Sequence, residues 1–423
     1  MDIAIIGAGI AGLTTAWRLH AAGHRVTIFE TCDEPARLAS RRTGGQFCFF
    51  TLAPVADRRF TLFTLPDWIN AYDSPIYWRP QRGDGQWRWL RAFLRASRKR
   101  ERQNALEALQ ELAALSYSLT EKLLALPGIQ SRHARTGRIV LYRHPRRFEA
   151  ARRAAEHSFQ VREHINTLTP AECVEGAPLL APMIKHFVGG IYSPDDGVVD
   201  ASLLCQTLSA HLLTKAPEVR IMYGLKALSL DARNGRIVAV DTEEARFATD
   251  AVILACGVES GLLLGRLGIS LPLYPITGYQ LNIARVSDAP PLEISLSDAE
   301  ARFTLCALGD QIHASGLFDI AAPREFPSAA RVEHLRRRAA AFTGKHWPLD
   351  APEVSAGVCA ATPDGCPIIG RQPEFTNLWY NLGHGQLGLT LAAGAAELIA
   401  CQMSDKPIFC NETPFAPPPM GEA

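Results

Sequence analysis

The residues whose types and spacing could do chemistry begin near the N-terminus of this 423-residue chain, in Gly7-Ala8-Gly9-Ile10-Ala11-Gly12, with Glu30 lying 18 positions beyond the last glycine. In such a run the first glycine permits a tight turn, the second lets the backbone approach a pyrophosphate, and the third lets a helix pack closely on a strand. The N–H groups of the following helix, those of Ile10 and Ala11 among them, would face the phosphates, and Glu30 would accept hydrogen bonds from a ribose. The alternative is an ordinary glycine-rich turn, but this one falls between a strand pattern and a helix pattern. The motif specifies a dinucleotide and does not itself choose between FAD and NAD. Its place at the start of the chain favours FAD, because a tightly held flavin can use distant segments to complete its site.

Three later segments read as returns to that site. The apolar strand from Ala251 to Ala255 ends in Cys256-Gly257, where a glycine permits close approach to a cofactor or simply makes a turn. Leu378 to Leu382 runs into Gly383-His384-Gly385-Gln386-Leu387-Gly388, and a helical pattern follows from Leu389 to Ala400. A helix N-terminus there would stabilise negative charge on a reduced ring. His384 is the candidate acid or base of the segment, and its position between two glycines reads equally well as a turn residue. The third segment is Ser40-Arg41-Arg42-Thr43-Gly44-Gly45-Gln46, whose two arginines suit phosphates or solvent. No Ser/His/Asp or Cys/His set suggests a covalent nucleophile, which argues against a hydrolase.

The elements that must position these residues are legible around the first motif. Ile3 to Ile6 form a continuous apolar run suited to a buried parallel strand. Helical spacing from Ile10 to about Ala22 follows, Gly23 stands where a C-cap is common, and Arg25 to Phe29 make a second strand. With 47% hydrophobic residues, a chain of 423 residues has material for two structural units. Its 44 Lys and Arg against 43 Asp and Glu leave a net charge of +1, so no global attraction to nucleic acid or anionic lipid is expected. Ten cysteines without a C-x-x-C pair or metal-ligand spacing suit reduced thiols in a cytoplasm and no metal site. The apolar stretch Ile3 to Ala16 lacks a basic leader and is broken by glycines, unlike a signal peptide, and no run approaches the roughly 20 apolar residues of a membrane span. Trp87 to Arg102 mixes aromatic and basic residues, a stretch that suits an anionic membrane surface or an electron acceptor, or else a solvated helix face. The proline-rich end, Pro417 to Gly421, reads as a loose tail.

On these residues the chain resembles the D-amino-acid oxidase superfamily of flavoproteins, and within it is most similar to the small subunit of the bacterial D-amino-acid dehydrogenases. Besides the N-terminal fingerprint, the resemblance is carried by Ser40 with Gly45-Gln46, Gly189-Gly190-Ile191 with Pro194-Asp195-Asp196-Gly197, and Tyr274-Pro275 with Gly278-Tyr279. Thr362-Pro363-Asp364-Gly365, Pro367, Gly370 and the Gly383 to Gly388 turn complete it. It implies an α/β FAD-binding domain, Rossmann-like and of the glutathione-reductase type, with a second antiparallel-sheet α+β substrate domain. The expected division is 1–50, 145–265 and 356–423 for the flavin domain and 51–144 with 266–355 for the substrate domain. FAD would be held by Gly7, Gly9, Ile10, Ala11, Gly12 and Glu30, by Ser40, Arg41, Arg42, Thr43, Gly45 and Gln46, and by Leu225, Ala255 and Gly257. Gly383, His384, Gly385, Leu387, Gly388 and Leu389 would close the site.

The resemblance further implies oxidation of an amino acid or amine at its C–N bond, by hydride transfer to the flavin, leaving an imine. Tyr274 and Tyr279 would line the pocket with hydroxyls that do not titrate near neutrality, and His384 completes the catalytic candidates. Where the family carries a Gly-x-Arg-Pro whose arginine pairs with the substrate carboxylate, this chain reads Gly357-Val358-Cys359-Ala360. A thiol cannot reproduce the paired hydrogen bonds of a guanidinium. Either another cation, with Arg302 as the candidate, supplies the charge, or the substrate lacks a carboxylate there. Phe47 and Phe49, in Phe47-Cys48-Phe49-Phe50, suggest a tighter and more apolar pocket. A quinone, a partner protein or oxygen would take the electrons. The resemblance also allows the flavin subunit of a hetero-oligomeric opine or glycine-type oxidase, a homo-oligomer, or more remotely a non-catalytic flavin protein. The expected location is the cytoplasm, with contact at the inner face of the membrane as an extension of it.

Overall fold

The computed structural model describes residues 1–423 except 54, 57–64, 70, 82–83, 287–290, 322–326, 344–346, 350–351, 409 and 422–423. The N-terminal apolar run becomes the strand Asp2–Ile6, flanked on both sides by parallel partners, Arg25–Phe29 and Ala251–Leu254. Its two faces are both covered, Ile3 and Ile5 by one core cluster and Ala4 and Ile6 by another, which is why the run carries no polar alternation. The six-stranded sheet runs Ile368–Arg371, Leu378–Leu382, Ala251–Leu254, Asp2–Ile6, Arg25–Phe29, Val219–Met222. Only the hairpin of its first two strands is antiparallel. Helix Ile10–Ala21 and helix Gly388–Met403 lie together on one face, where Thr14 Oγ1 donates to the Ala392 carbonyl at 3.2 Å. A three-stranded sheet, Ala227–Arg233, Arg236–Thr242 and Arg246–Ala248, packs on the other.

A second sheet of nine strands runs Glu353–Ala361, Tyr274–Ala284, Gln311–Ile320, Phe303–Leu308, Ser295–Asp298, Arg138–Tyr142, Gly189–Ser193, Asn166–Leu168, with Ile76–Trp78 beside Gln311–Ile320. It is antiparallel except where Ser295–Asp298 meets Arg138–Tyr142 and Gln311–Ile320 meets Ile76–Trp78. Because successive side chains on a strand point to opposite faces, the pairing register sorts the sheet into two surfaces. One is apolar: Leu281, Ile283, Leu296, Leu305, Ile312 and Ala314 join one core cluster with residues of helix Ala329–Thr343 and the 3-10 stretch Pro178–His186. The other is polar, since Ser297 pairs with Thr304, Thr304 and Gln280 with Ser315, and Cys306 with His313. The polar face meets the segment after Ser40: Cys306 Sγ donates to the Gly44 carbonyl at 3.3 Å, and a Cβ placed on Gly45 would lie 3.5 Å from His313 Nδ1.

The observed division differs from the expected one in three places. Strands Asn166–Leu168 and Gly189–Ser193 belong to the nine-stranded sheet, although 145–265 was assigned to the flavin unit. Strand Glu353–Ala361, divided by the boundary at 356, also lies wholly in that sheet. Helix Lys99–Leu124 instead packs against Gly388–Met403, with Ser116 Oγ donating to the Thr390 carbonyl at 2.6 Å. The basic stretch forms the end of helix Asp84–Ala96 and the start of helix Lys99–Leu124, and its apolar residues Trp89, Leu90 and Phe93 turn inward to a buried cluster. The proline-rich segment is anchored rather than loose: Phe415 just before it is buried, and the Met420 N–H donates to Glu374 Oε1 at 2.8 Å. Local composition could not anticipate that anchorage, because its partners lie some forty residues upstream.

Candidate functional site

The turn Gly7–Gly12 closes as the sequence requires. A Cβ on Gly12 would stand 1.9 Å from the Gly7 carbonyl oxygen, so only glycine lets the helix start this close to the strand. Gly7, Gly9, Ile10 and Ala11 line a cavity of about 530 Å³, a size typical of small-molecule sites. Gly12 serves it through packing. Glu30 sits at the cavity wall with its carboxylate braced by two backbone N–H groups, Ala8 to Oε2 at 2.7 Å and Cys32 to Oε1 at 2.9 Å. Each oxygen keeps a lone pair for a further donor. Ser40 closes over the helix N-terminus, its Oγ accepting from the Ile10 N–H at 3.1 Å.

The distant segments do return. Ala255 and Gly257 line the cavity, as do Gly383, His384, Gly385 and Gly388 and, from the second sheet, Val358, Cys359 and Ala360. Arg42 lines it as well, with Nη1 donating to the Ala356 carbonyl at 3.2 Å. Leu225 does not line it; it is buried, with its N–H given to the Glu30 carbonyl at 2.9 Å, and it positions Lys226, Ala227 and Leu228, which do. Leu387 and Leu389 pack into the core at the helix start rather than facing the cavity. Arg41 is turned to Glu34, 3.2 Å away, while Thr43, Gly45 and Gln46 carry the chain out of the cavity and across the polar face of the second sheet.

Five expected pocket residues lie elsewhere. Tyr274 and Tyr279 are an odd number of positions apart on one strand and therefore face opposite sides of the sheet. The Tyr279 hydroxyl donates to Asp319 Oδ2 at 2.9 Å on the apolar side. The Tyr274 hydroxyl accepts from Gln86 Nε2 at 2.9 Å within an aromatic cluster. Arg302 is held away from the cavity, with Nη2 donating to the Val55 carbonyl at 2.6 Å and its guanidinium 5.5 Å from the Phe318 ring centroid. Phe47 and Phe49 are core residues that stack on one another at 5.1 Å, and Phe49 meets Tyr117 of helix Lys99–Leu124 edge-on at 5.3 Å. An aromatic run that looked like a pocket wall is thus core packing that joins helix Lys99–Leu124 to the six-stranded sheet unit.

Two cavity groups have altered acidity. Burial pushes the Cys359 thiol up to about 12, and its Sγ donates to the Ile276 carbonyl at 3.6 Å, so it is a neutral thiol. Burial alone lowers His384 to about 4, which keeps the imidazole neutral, and its enclosed Nε2 has no hydrogen-bond partner among the described residues. An unmatched buried polar atom facing a cavity calls for a ligand to complete it. At the other end of the cavity are apolar side chains exposed to solvent, Leu38, Val258 and Leu262, the last 71% exposed. A flat aromatic base would cover them, and Lys226 and Arg266 stand beside them as cations. Sequence reasoning missed this end, because scattered leucines and single cations carry no local signature.

A glycine cradle at a helix N-terminus, a braced carboxylate for ribose, an apolar shelf for a base and an unmatched imidazole at the opposite end together fit FAD. A family profile described as FAD dependent oxidoreductase matches residues 2–402, and the chain belongs to this family. It is similar to D-amino acid dehydrogenase 2 of Pseudomonas aeruginosa, with 32% identity over 418 residues and 98% of each chain covered. The D-amino acid dehydrogenase of Paramagnetospirillum magneticum is likewise 32% identical, over 96% of each chain. Among solved structures, the fold is similar to glycine oxidase from Geobacillus kaustophilus, with a TM-score of 0.73, 22% identity, and 100% and 98% of the two chains covered. Iminodiacetate oxidase from Chelativorans sp. matches with a TM-score of 0.72, 19% identity and full coverage of both chains. The protein is a FAD-dependent oxidoreductase, similar over nearly its whole length to the D-amino acid dehydrogenases. When bound, FAD would supply the hydride acceptor, and Gly7, Gly9, Glu30, Ser40, Gly257, Gly383 and His384, which line the cavity, would hold it.

Among the described residues no group of three His, Cys, Asp or Glu converges as metal ligands do, and no helix is long and apolar enough to cross a membrane.

Proposed function

We propose that the protein oxidises the C–N bond of an amino acid or amine to the imine, with FAD as the hydride acceptor. The carrying observation is that the dinucleotide cradle and strand Glu353–Ala361 of the second sheet line one cavity, so a substrate beside that strand meets the cofactor. The ionisable groups flanking the junction suit this chemistry. A neutral imidazole at His384 and a neutral thiol at Cys359 can orient a substrate and exclude water without taking its proton. The relatives named D-amino acid dehydrogenase, similar over nearly the whole chain, support an amino acid as substrate. Anaerobic mixing of the holoprotein with D-amino acids, N-alkyl glycines and simple amines is the test. Bleaching of the flavin absorbance by at least one of them is expected, and bleaching by none would refute the reading.

The electrons then pass to an acceptor. The exposed cations Arg88, Arg91, Arg95, Arg98, Lys99 and Arg100 crowd the corner between two helices of a chain whose net charge is only +1. This concentration supports peripheral docking on an anionic membrane surface, where a quinone would be the acceptor. Co-flotation with vesicles containing anionic lipid, but not with purely zwitterionic vesicles, is expected at low salt. Equal recovery with both would remove the membrane from the scheme.

A further inference from the structure

The cavity lacks a guanidinium at position 359, yet it has one close by. Arg42 lies on the turn after Ser40, and its backbone and Cβ rest against Gly357: a Cβ built on Gly357 would come within 3.0 Å of both Arg42 Cβ and the Arg42 carbonyl oxygen. Gly357 and Cys359 are two positions apart on one strand, about 7 Å, and on the same face. An arginine side chain spans that distance when its Nη1 leaves the Ala356 carbonyl, which precedes Gly357 on the strand. Arg42 and Cys359 line the same cavity.

The other cations of the cavity are committed differently. Arg37 is paired with Asp33 at 2.6 Å and with Glu34 at 3.3 Å. Lys226 follows the residue bonded to Glu30, and Arg266 ends helix Ser260–Arg266, so both belong to the ribose and base end. Among the described residues Arg42 has no carboxylate partner, and its guanidinium donates to a single neutral carbonyl, that of Ala356. A guanidinium offers five donors, so one carbonyl leaves most of them for an anion.

We propose that Arg42 is the carboxylate-binding residue of the substrate site, reaching from the turn after Ser40 to the place an arginine on strand Glu353–Ala361 would occupy. The substrate is then an amino acid rather than a simple amine. The inference rests on the amine-oxidation reading for its substrate, but the binding of a carboxylate can be read without turnover. A long, solvent-exposed side chain also makes the anchor adjustable, so acids with differently placed carboxylates would be accepted more evenly than by an anchor fixed within a strand.

The test uses flavin-loaded wild type, Arg42→Met and Arg42→Lys, titrated with benzoate while the visible flavin spectrum is followed. Wild type should show a saturable perturbation. Arg42→Met should weaken it ~10- to 100-fold, as expected for one charge-assisted pair, with the flavin content unchanged. Arg42→Lys should retain part of the affinity, because it keeps the charge and loses the fork. In turnover, Arg42→Met should raise KM for a D-amino acid and leave that for the corresponding decarboxylated amine unaltered. Adding Cys359→Arg to Arg42→Met should recover benzoate binding. Unchanged benzoate affinity in Arg42→Met, or no perturbation of wild type, would overturn the proposal. So would a variant that loses flavin but binds benzoate normally in its loaded fraction, since Arg42 would then serve the cofactor phosphates. Failure of every amine to bleach the flavin would refute the substrate reading alone, and the benzoate titration would still decide Arg42.

Discussion

In the dinucleotide unit the first wall of the cavity comes from close neighbours in sequence: Gly7, Gly9, Ile10 and Ala11 lie in one turn, and Glu30 follows one helix and one strand later. In the nine-stranded sheet the opposite holds, and residues adjacent in sequence are separated by the thickness of the sheet. Tyr274 and Tyr279 look equivalent in the sequence, yet one hydroxyl meets Gln86 and the other Asp319, on opposite sides. The difference teaches that a turn motif carries its geometry with it, whereas a strand residue acquires a face only when its register is set.

This contrast can be broken or sharpened by experiment. The largest effect is expected at Gly12, where a valine would put Cβ into the Gly7 carbonyl; Gly12→Val should yield protein without bound flavin or with no soluble fold, checked by flavin-to-protein absorbance ratio. In the second sheet, Asp319 and Arg331 are a buried pair at 2.7 Å, and Arg331 also donates to the Tyr72 carbonyl. Arg331→Met should destabilise by about 3–5 kcal/mol, read as a fall in urea midpoint, because it leaves a buried carboxylate without its cation.

A pH effect follows at the junction of the two regions. His384 titrates at about 4 in the fold against 6.5 in the unfolded chain, so the unfolded state binds the proton more readily. Its contribution is complete above pH 6.5 and is lost as pH falls toward 4, to at most about 3 kcal/mol. The apoprotein should therefore lose stability over that window, and His384→Asn should flatten the loss; an unchanged pH profile would contradict the burial assigned to the ring. The smallest effect concerns Tyr279→Phe, which removes a hydrogen bond to a buried carboxylate and should cost about 1–3 kcal/mol while leaving kcat/KM intact. A large fall in kcat/KM at unchanged flavin content would return Tyr279 to the pocket.

How much was legible follows the same division. The first strand, the helix after it, the second strand and the return segments at Ala251 and Leu378 were readable because apolar runs, glycine spacing and helical periodicity are local signals. The packing role of Phe47 and Phe49 was not, because an aromatic residue on a loop gives no sign of which surface will cover it. The same holds for Trp89, Leu90 and Phe93, whose basic neighbours drew attention to the outside of a helix that is anchored from within.

The sequence by itself determined a strand, glycine turn and helix of the dinucleotide-binding pattern over residues 3–30, a glycine at position 12, and a thiol at position 359 where a cation was expected. Tertiary structure alone decided which residues share the cavity. It turned Tyr279 into the core, tied Arg302 to Val55 and brought Arg42 against the strand that carries Cys359. The physical reason is that backbone turns are fixed by short-range sterics, while side-chain proximity across a sheet depends on pairings between strands far apart in the chain.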